Sequence, residues 1–166
     1  MDSEIKTGAT YTVEVVAPDG TVSQRSVEHN LVPTEGLNHI AAVVFKGGAQ
    51  VIQWFIAPFE GNYTPTNDVT AATIAAAAQE STAYTAASRL EFVEGAVVAG
   101  AVDNTANKAE FIYNANKTVR GVFIVSASPK GATTGTLVSV VLFSSPKTVD
   151  SGSTLRVVAG FAFASV

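Results

Sequence analysis

The chain has 166 residues, 47% of them hydrophobic and 14% charged, with a formal net charge of −4; this is about the length of one domain, long enough to bury a core without covalent staples. It has no cysteine, which excludes disulfides, thiolate metal sites and thiol nucleophiles while leaving the redox compartment open. Its ten basic residues are scattered singly, so nothing resembles the stripe that neutralises a phosphate backbone, and nucleic acid is not an expected partner.

Mean hydropathy is positive, at +0.28, but the apolar runs are cut by Asp, Asn, Glu or Gly well short of the roughly 18 residues of a spanning helix. No membrane partner is expected. Residues 1–9 read as an N-terminal arm. They carry acid where a signal peptide needs Lys or Arg, and no apolar segment follows, so the product is expected to stay, at least at first, in the cell that makes it.

Residues 10–166 read as a single β-sandwich domain. Tyr11, Val13 and Val15 alternate with Thr12 and Glu14, and Pro18-Asp19-Gly20 supplies a preset φ, a turn-forming side chain and tolerance of positive φ; together they predict a hairpin with strands near 10–17 and 21–28. The period then changes. Leu37, Ile40, Ala41, Val44 and Phe45 recur at helical spacing, which predicts a helix over 35–46 packed by that stripe, with Thr34 as its N-cap and Gly47 as its C-cap.

The β-branched and aromatic stretch Val51–Phe59 predicts a central strand buried on nearly both faces, with Trp54 in the core. A Pro- and Asn-rich excursion follows, and its alanine run over 71–78 is left open between a short helix and a loop. Further strands are expected near 89–94, 96–102, 108–114, 119–127, 136–144 and 153–163, separated by turn-forming pairs and triplets such as Asp150-Ser151-Gly152. Many short strands with regular punctuation predict an all-β, jelly-roll-like β-sandwich with one helix laid on it.

No catalytic constellation, metal site or cofactor site emerges. His29 and His39, with Glu28 and Glu35 near them, match no established ligand spacing. No serine sits in a Gly-x-Ser-x-Gly elbow, and Gly47-Gly48 lacks the Gly-Lys-Ser/Thr ending of a phosphate loop. Glu91 and Glu94 read as solvent-facing rather than as a glycosidase pair. One constellation stands apart: Glu80 and Arg89, flanking Tyr84, can form a bidentate pair that braces a folded-back loop.

The order of motifs is more suggestive than any site. A helix ends in Gly-Gly; Gln-Trp-Phe-Ile-Ala-Pro-Phe opens a long Tyr/Pro/Asp loop; then come Glu-Ser-Thr-Ala-Tyr with a following Arg, Thr-Val-Arg-Gly-Val-Phe, Gly-Thr-Leu, and Phe-Ser-Ser-Pro-Lys-Thr-Val. Over roughly residues 34–163 this resembles a group of small tailed-bacteriophage virion proteins, the capsid cement or decoration proteins. The alanines of 71–78 depart from that pattern. The resemblance implies a non-enzymatic structural protein that coats and stabilises the outside of a capsid, with the major capsid protein and further copies of itself, as a dimer or trimer, for partners and the virion as its location. A phage tail or fibre module and a carbohydrate-binding module are the alternatives.

The carboxyl-terminal strand alternates Leu155, Val157, Ala159 and Phe161 on one face, leaving Val158, Gly160 and Phe163 without obvious cover. A terminal strand is expected at a sheet edge, where unpaired backbone invites a neighbour. Candidate protein contacts are therefore Val158 and Phe163, Thr7 and Thr10 in the uncharged arm, and Asn62, Tyr63 and Thr64 in the Pro/Asn loop.

Overall fold

The computed structural model describes residues 5–165; residues 1–4 of the expected arm and Val166 lie outside them. Residues 5–9 are not an arm but the start of strand β1 (Ile5–Val16), which pairs antiparallel with β9 (Thr154–Ser165) along its whole length, from Ile5↔Ser165 to Val16↔Thr154. On its other side β1 forms the expected hairpin with β2 (Val22–His29). Gly20 takes a φ of 88° at the turn, and Asp19 accepts a hydrogen bond from the Thr21 amide at 2.9 Å.

The far side of β9 is shared by β5 (Ala101–Asp103) and β6 (Ala109–Ile112). The carboxyl-terminal strand thus lies inside a five-stranded sheet, here sheet A, and not at its edge. The reason is visible in its inner face: Leu155, Val157 and Ala159 are fully buried, and a strand with so continuous an apolar face gains most from neighbours on both sides.

The second sheet, sheet B, has the order β4 (Leu90–Glu91), β3 (Phe55–Phe59), β7 (Lys117–Val125), β8 (Leu137–Val149). Ile56, Val122, Ile124 and Val141 face sheet A and join Tyr11, Val13 and Leu155 in the main core. The opposite face of sheet B carries Ala57, Phe59, Phe123 and Val125, covered by Val69 and Ile74. Ile74 belongs to α2 (Ala71–Ala77), so the alanine run forms a helix. Its small residues permit the close approach: a Cβ on Gly61 would stand 2.6 Å from the Ala78 carbonyl oxygen. The result is an all-β sandwich with a helical third layer on one side only.

Several strand boundaries differ from expectation. Residues 96–100 form a tight turn, with Ala99 and Gly100 at positive φ and the Val98 and Ala101 backbones bonded to each other, so only 101–103 is strand. The strand expected over 89–94 shrinks to β4, and that over 136–144 instead continues to Val149. β8 passes through a register break opposite Val119 and Gly121, where Phe143-Ser144-Ser145-Pro146 bulges out. Pro146 is tolerated there because a bulge leaves its backbone unpaired.

Helix α1 (Thr34–Phe45) is present, but it is rolled relative to the expected stripe. Pro33, not Thr34, stands at the N-cap, and Gly47 takes the left-handed conformation expected of it. The side turned to the sandwich is Gly36, His39, Ile40 and Val43, while Leu37, Ala41, Val44 and Phe45 are exposed. Gly36 favours this: a Cβ there would stand 3.0 Å from the Leu137 carbonyl oxygen and the Val138 Cα, so any larger residue would push the helix and β8 apart by a few tenths of an ångström. Glu35 pins it, its Oε2 accepting the Leu137 amide at 2.7 Å and the Ala71 amide at 2.9 Å.

One side of the sandwich is stitched shut by side chains. Between β2 and β8, the Gln24 side-chain amide donates to the Thr148 carbonyl at 2.8 Å and accepts from its amide at 3.3 Å. Glu28 accepts from the Ser144 amide and hydroxyl, both at 3.0 Å, and Leu31 exchanges backbone bonds with Val140. On the opposite side, between the β4 region and the β5–β6 segment, the Gly95 amide donates to the Asp103 carbonyl at 2.7 Å and the Thr85 amide to the Ile112 carbonyl at 2.9 Å.

Candidate interaction surfaces

The outer face of sheet A is built from the residues that alternate away from the core. At one level the register aligns Arg25, Glu14, Arg156 and Glu110 across four strands, linked at 3.3, 3.3 and 2.8 Å. Two positive and two negative charges cancel in place, and at this exposure each pair contributes only about 0–1 kcal/mol. Beyond that row the next three levels are mostly uncharged, with Asp103 their one carboxylate. The next levels are Val27–Thr12–Val158, then His29–Thr10–Gly160–Asp103, then Gly8–Ala162–Ala101.

Asp103 turns onto its own loop. The Thr105 amide, 2.8 Å away, holds its carboxyl below the usual range. Thr10 is exposed, its hydroxyl 3.5 Å from the His29 Nδ1, and Val158 is half-buried among its small neighbours. The two residues share this face.

The open end of the sandwich holds an apolar cleft of about 540 Å³. Trp54, Phe92, Phe161 and Val138 line its interior, Ile52 and Val97 its rim. Trp54 is half-buried there and does not fill the core; its ring meets His39 edge-on, with centroids 5.6 Å apart, and Phe92 meets Phe161 likewise at 5.8 Å. Phe163 also lines this cleft. It has the inward parity of β9 and stands free only because the strand overruns sheet B, so it does not share a face with Val158. Thr7 pairs with Phe163 in register. Its hydroxyl is buried without a partner.

Asn62, Tyr63 and Thr64 lie elsewhere, on the covered side of sheet B. Tyr63 packs against the α2 core, and Asn62 and Thr64 are exposed. The seven expected contact residues therefore fall on three separate surfaces.

Glu80 and Arg89 are paired in the interior. Arg89 Nε and Nη2 donate to the two Glu80 oxygens at 2.9 and 2.7 Å, and the guanidinium also donates to the Ala127 and Ala132 carbonyls. Glu80 accepts the Gly131 amide at 3.0 Å, and Phe123 lies beneath the guanidinium at 5.2 Å. The Arg89 side chain is fully buried and Glu80 nearly so. Beside them Lys130 stands 3.7 Å over the Tyr84 ring; burial pushes the Tyr84 hydroxyl well above its ordinary value. This cluster fastens the 80–89 and 127–132 loops to sheet B, and the buried Tyr84 hydroxyl has no hydrogen-bond partner within it.

The residues considered for chemistry are dispersed. His29 lies on the outer face of sheet A and His39 against Trp54, while Glu28 and Glu35 are bonded to backbone amides as above. Glu91 accepts from Gln53 at 3.3 Å, whereas Glu94 faces the cleft. Among the described residues no three acidic or histidine side chains converge as metal ligands, and no helix is long and apolar enough to cross a membrane. The cleft and the bare sheet face were missed by strand-by-strand reading. The one signal for the cleft is the clustering of Trp54, Phe161 and Phe163 near strand ends.

No family model matches the chain, and a search of curated proteins finds no match to its sequence.

Proposed function

We propose that this protein is a non-enzymatic structural component of a tailed-phage virion, a jelly-roll-like sandwich that binds the outside of the capsid and stabilises it. The observation that carries this reading is the asymmetry of cover: sheet B is enclosed on both faces, whereas the outer face of sheet A is bare and, over three register levels, built mostly of small uncharged residues, with Asp103 the carboxylate at its margin. A surface mostly of Thr, Val, Gly and Ala suits apposition to another protein, because all but its Asp103 margin can be covered without burying charge. The major capsid protein is the partner it would meet, and the product, made in the host cytoplasm, would reside in the virion. The motif order set out above supports the same reading.

The test is to mix purified protein with undecorated heads and locate it by electron microscopy, together with a Val158→Arg variant that sets a charge on that face. Regular density on the head surface, lost with Val158→Arg, is expected. Density confined to the tail would move the protein to a tail or fibre role. Glycan binding that quenches the lone tryptophan, without particle binding, would make it a carbohydrate-binding module.

A further inference from the structure

We infer that the cleft is a binding site for a small organic cation, an apolar body carrying one ammonium group, with the body among Trp54, Phe92, Phe161 and Phe163 and the ammonium beside Glu94. All five residues line the cleft, whose volume of about 540 Å³ falls within the roughly 300–1,000 Å³ of small-ligand pockets. Most of its wall is aliphatic or aromatic. Apart from the Trp54 indole, the only polar side chains lining it among the described residues are Gln50 and Glu94, and Glu94 alone is charged.

The wall selects the class of ligand. A saccharide would bring hydroxyls round its ring and leave most of them unpaired against valine, isoleucine and phenylalanine. An anion would meet the Glu94 carboxylate with no basic residue lining the cleft to offset it. A cation is favoured twice, because the carboxylate attracts its charge and the aromatic rings attract it through their quadrupoles. Glu94 is available for this: it is exposed and takes part in no ion pair among the described residues. Its backbone is tied on both sides, the Phe92 amide donating to the Trp54 carbonyl and the Gly95 amide to the Asp103 carbonyl, each at 2.7 Å. With Glu94 exposed and Phe92 buried two residues before it, the ammonium sits in water at the mouth and the apolar body lies inside.

The experiment titrates the full chain with octylammonium, octanol and octanoate, which share one alkyl body and differ in charge. Tryptophan emission reports occupancy, because Trp54 is the sole tryptophan and lines the cleft. Octylammonium should bind about tenfold more tightly than octanol, and octanoate more weakly than either. Glu94→Gln, an exposed and isosteric change, should bring octylammonium within about threefold of octanol while octanol binds as before. Phe163→Ala removes wall and not charge, so it should weaken all three probes by about the same factor. Val158 does not line the cleft, and Val158→Arg should bind the probes as the wild type does, which separates this site from the capsid-binding face.

Absence of any saturable change in emission up to about 1 mM octylammonium would overturn the inference. So would octanol or octanoate binding as tightly as octylammonium, or an undiminished preference for the cation in Glu94→Gln. Binding of all three probes unaltered by Phe163→Ala would place them outside the cleft and overturn it as well. If octylammonium failed to bind while Glu94→Gln lost binding to heads, the cleft would receive a basic side chain of the capsid and not a small molecule, and the inference would fall while capsid binding stood.

Discussion

Phe123 in sheet B and Val158 in sheet A both point away from the space between the sheets, yet Phe123 is fully buried and Val158 half exposed. The sequences around them differ accordingly. Strand β7 reads Val-Phe-Ile-Val, apolar on both faces, as a strand covered on both sides must be; β1 reads Tyr-Thr-Val-Glu-Val, apolar on one. The comparison teaches that the unpatterned strand was the sign of a third layer, and the patterned one the sign of a face left for water or a partner.

The largest break in that comparison comes from removing its centre. Truncation after Gly152 deletes β9, which bonds to β1, β5 and β6, and should abolish cooperative unfolding measured by calorimetry. Gly121→Val should do nearly as much to sheet B. A Cβ at Gly121 would collide with the Phe59 ring and the Val141 carbonyl, so a loss of more than about 4 kcal/mol is expected in denaturant titration. Next, Glu80→Gln leaves the buried Arg89 charge short of its counter-ion and should cost about 3–5 kcal/mol; a Glu80→Gln/Arg89→Met double variant losing less than the single would show that the stranded charge is responsible.

Truncations to alanine on the two outer faces sharpen the contrast further. Ile74→Ala, which uncovers sheet B, should cost about 2–5 kcal/mol, whereas Val158→Ala should change stability by no more than about 0.5 kcal/mol. The smallest effect is titrable. Burial is the largest single influence on the Glu28 carboxyl and raises it, but the Ser26 hydroxyl, the hydrogen bonds of Ser144 and the charge of Lys147 together outweigh burial, so the group sits below its ordinary value of 4.5. Its anion therefore stabilises the fold above that value, and the contribution is lost as pH falls through the lowered one. Loss of protection of the Ser144 amide against exchange as pH falls below 4.5, absent in Glu28→Gln, is the expected signature.

How much was legible depended on whether the deciding contact was local. The Pro18-Asp19-Gly20 turn, the Asp150-Ser151-Gly152 turn and the Glu80–Arg89 pair rest on residues close in sequence. The roll of α1 does not: the Leu37–Phe45 stripe has helical period, but Gly36 seats the helix through a contact with Leu137 and Val138, about a hundred residues away, which spacing along the helix cannot reveal. The alanine run at 71–78 has weak propensity as an isolated helix and is fixed by Glu35 and by sheet B. The interior place of β9 was hidden because a strand's neighbours are chosen by the whole fold. Of the candidate contacts, Thr10 and Val158 were individually legible; that they share a face, and that Phe163 does not, required the pairing of β9 with β1.

That pairing also sets the order in which the molecule can assemble. Glu14 and Arg156 are neighbours in sheet A yet 142 residues apart in sequence. Sheet B draws its longest strands, β7 and β8, from one continuous stretch and can pair them without β9. Sheet A cannot: β1 and β2 wait as a hairpin with an apolar face until the last strand joins them. Loops closed over such distances slow folding and prolong exposure of sticky intermediates. Until β9 joins, half the sandwich is unbuilt, and an encounter between two such intermediates is the circumstance in which a neighbour's β9 can take the vacant place.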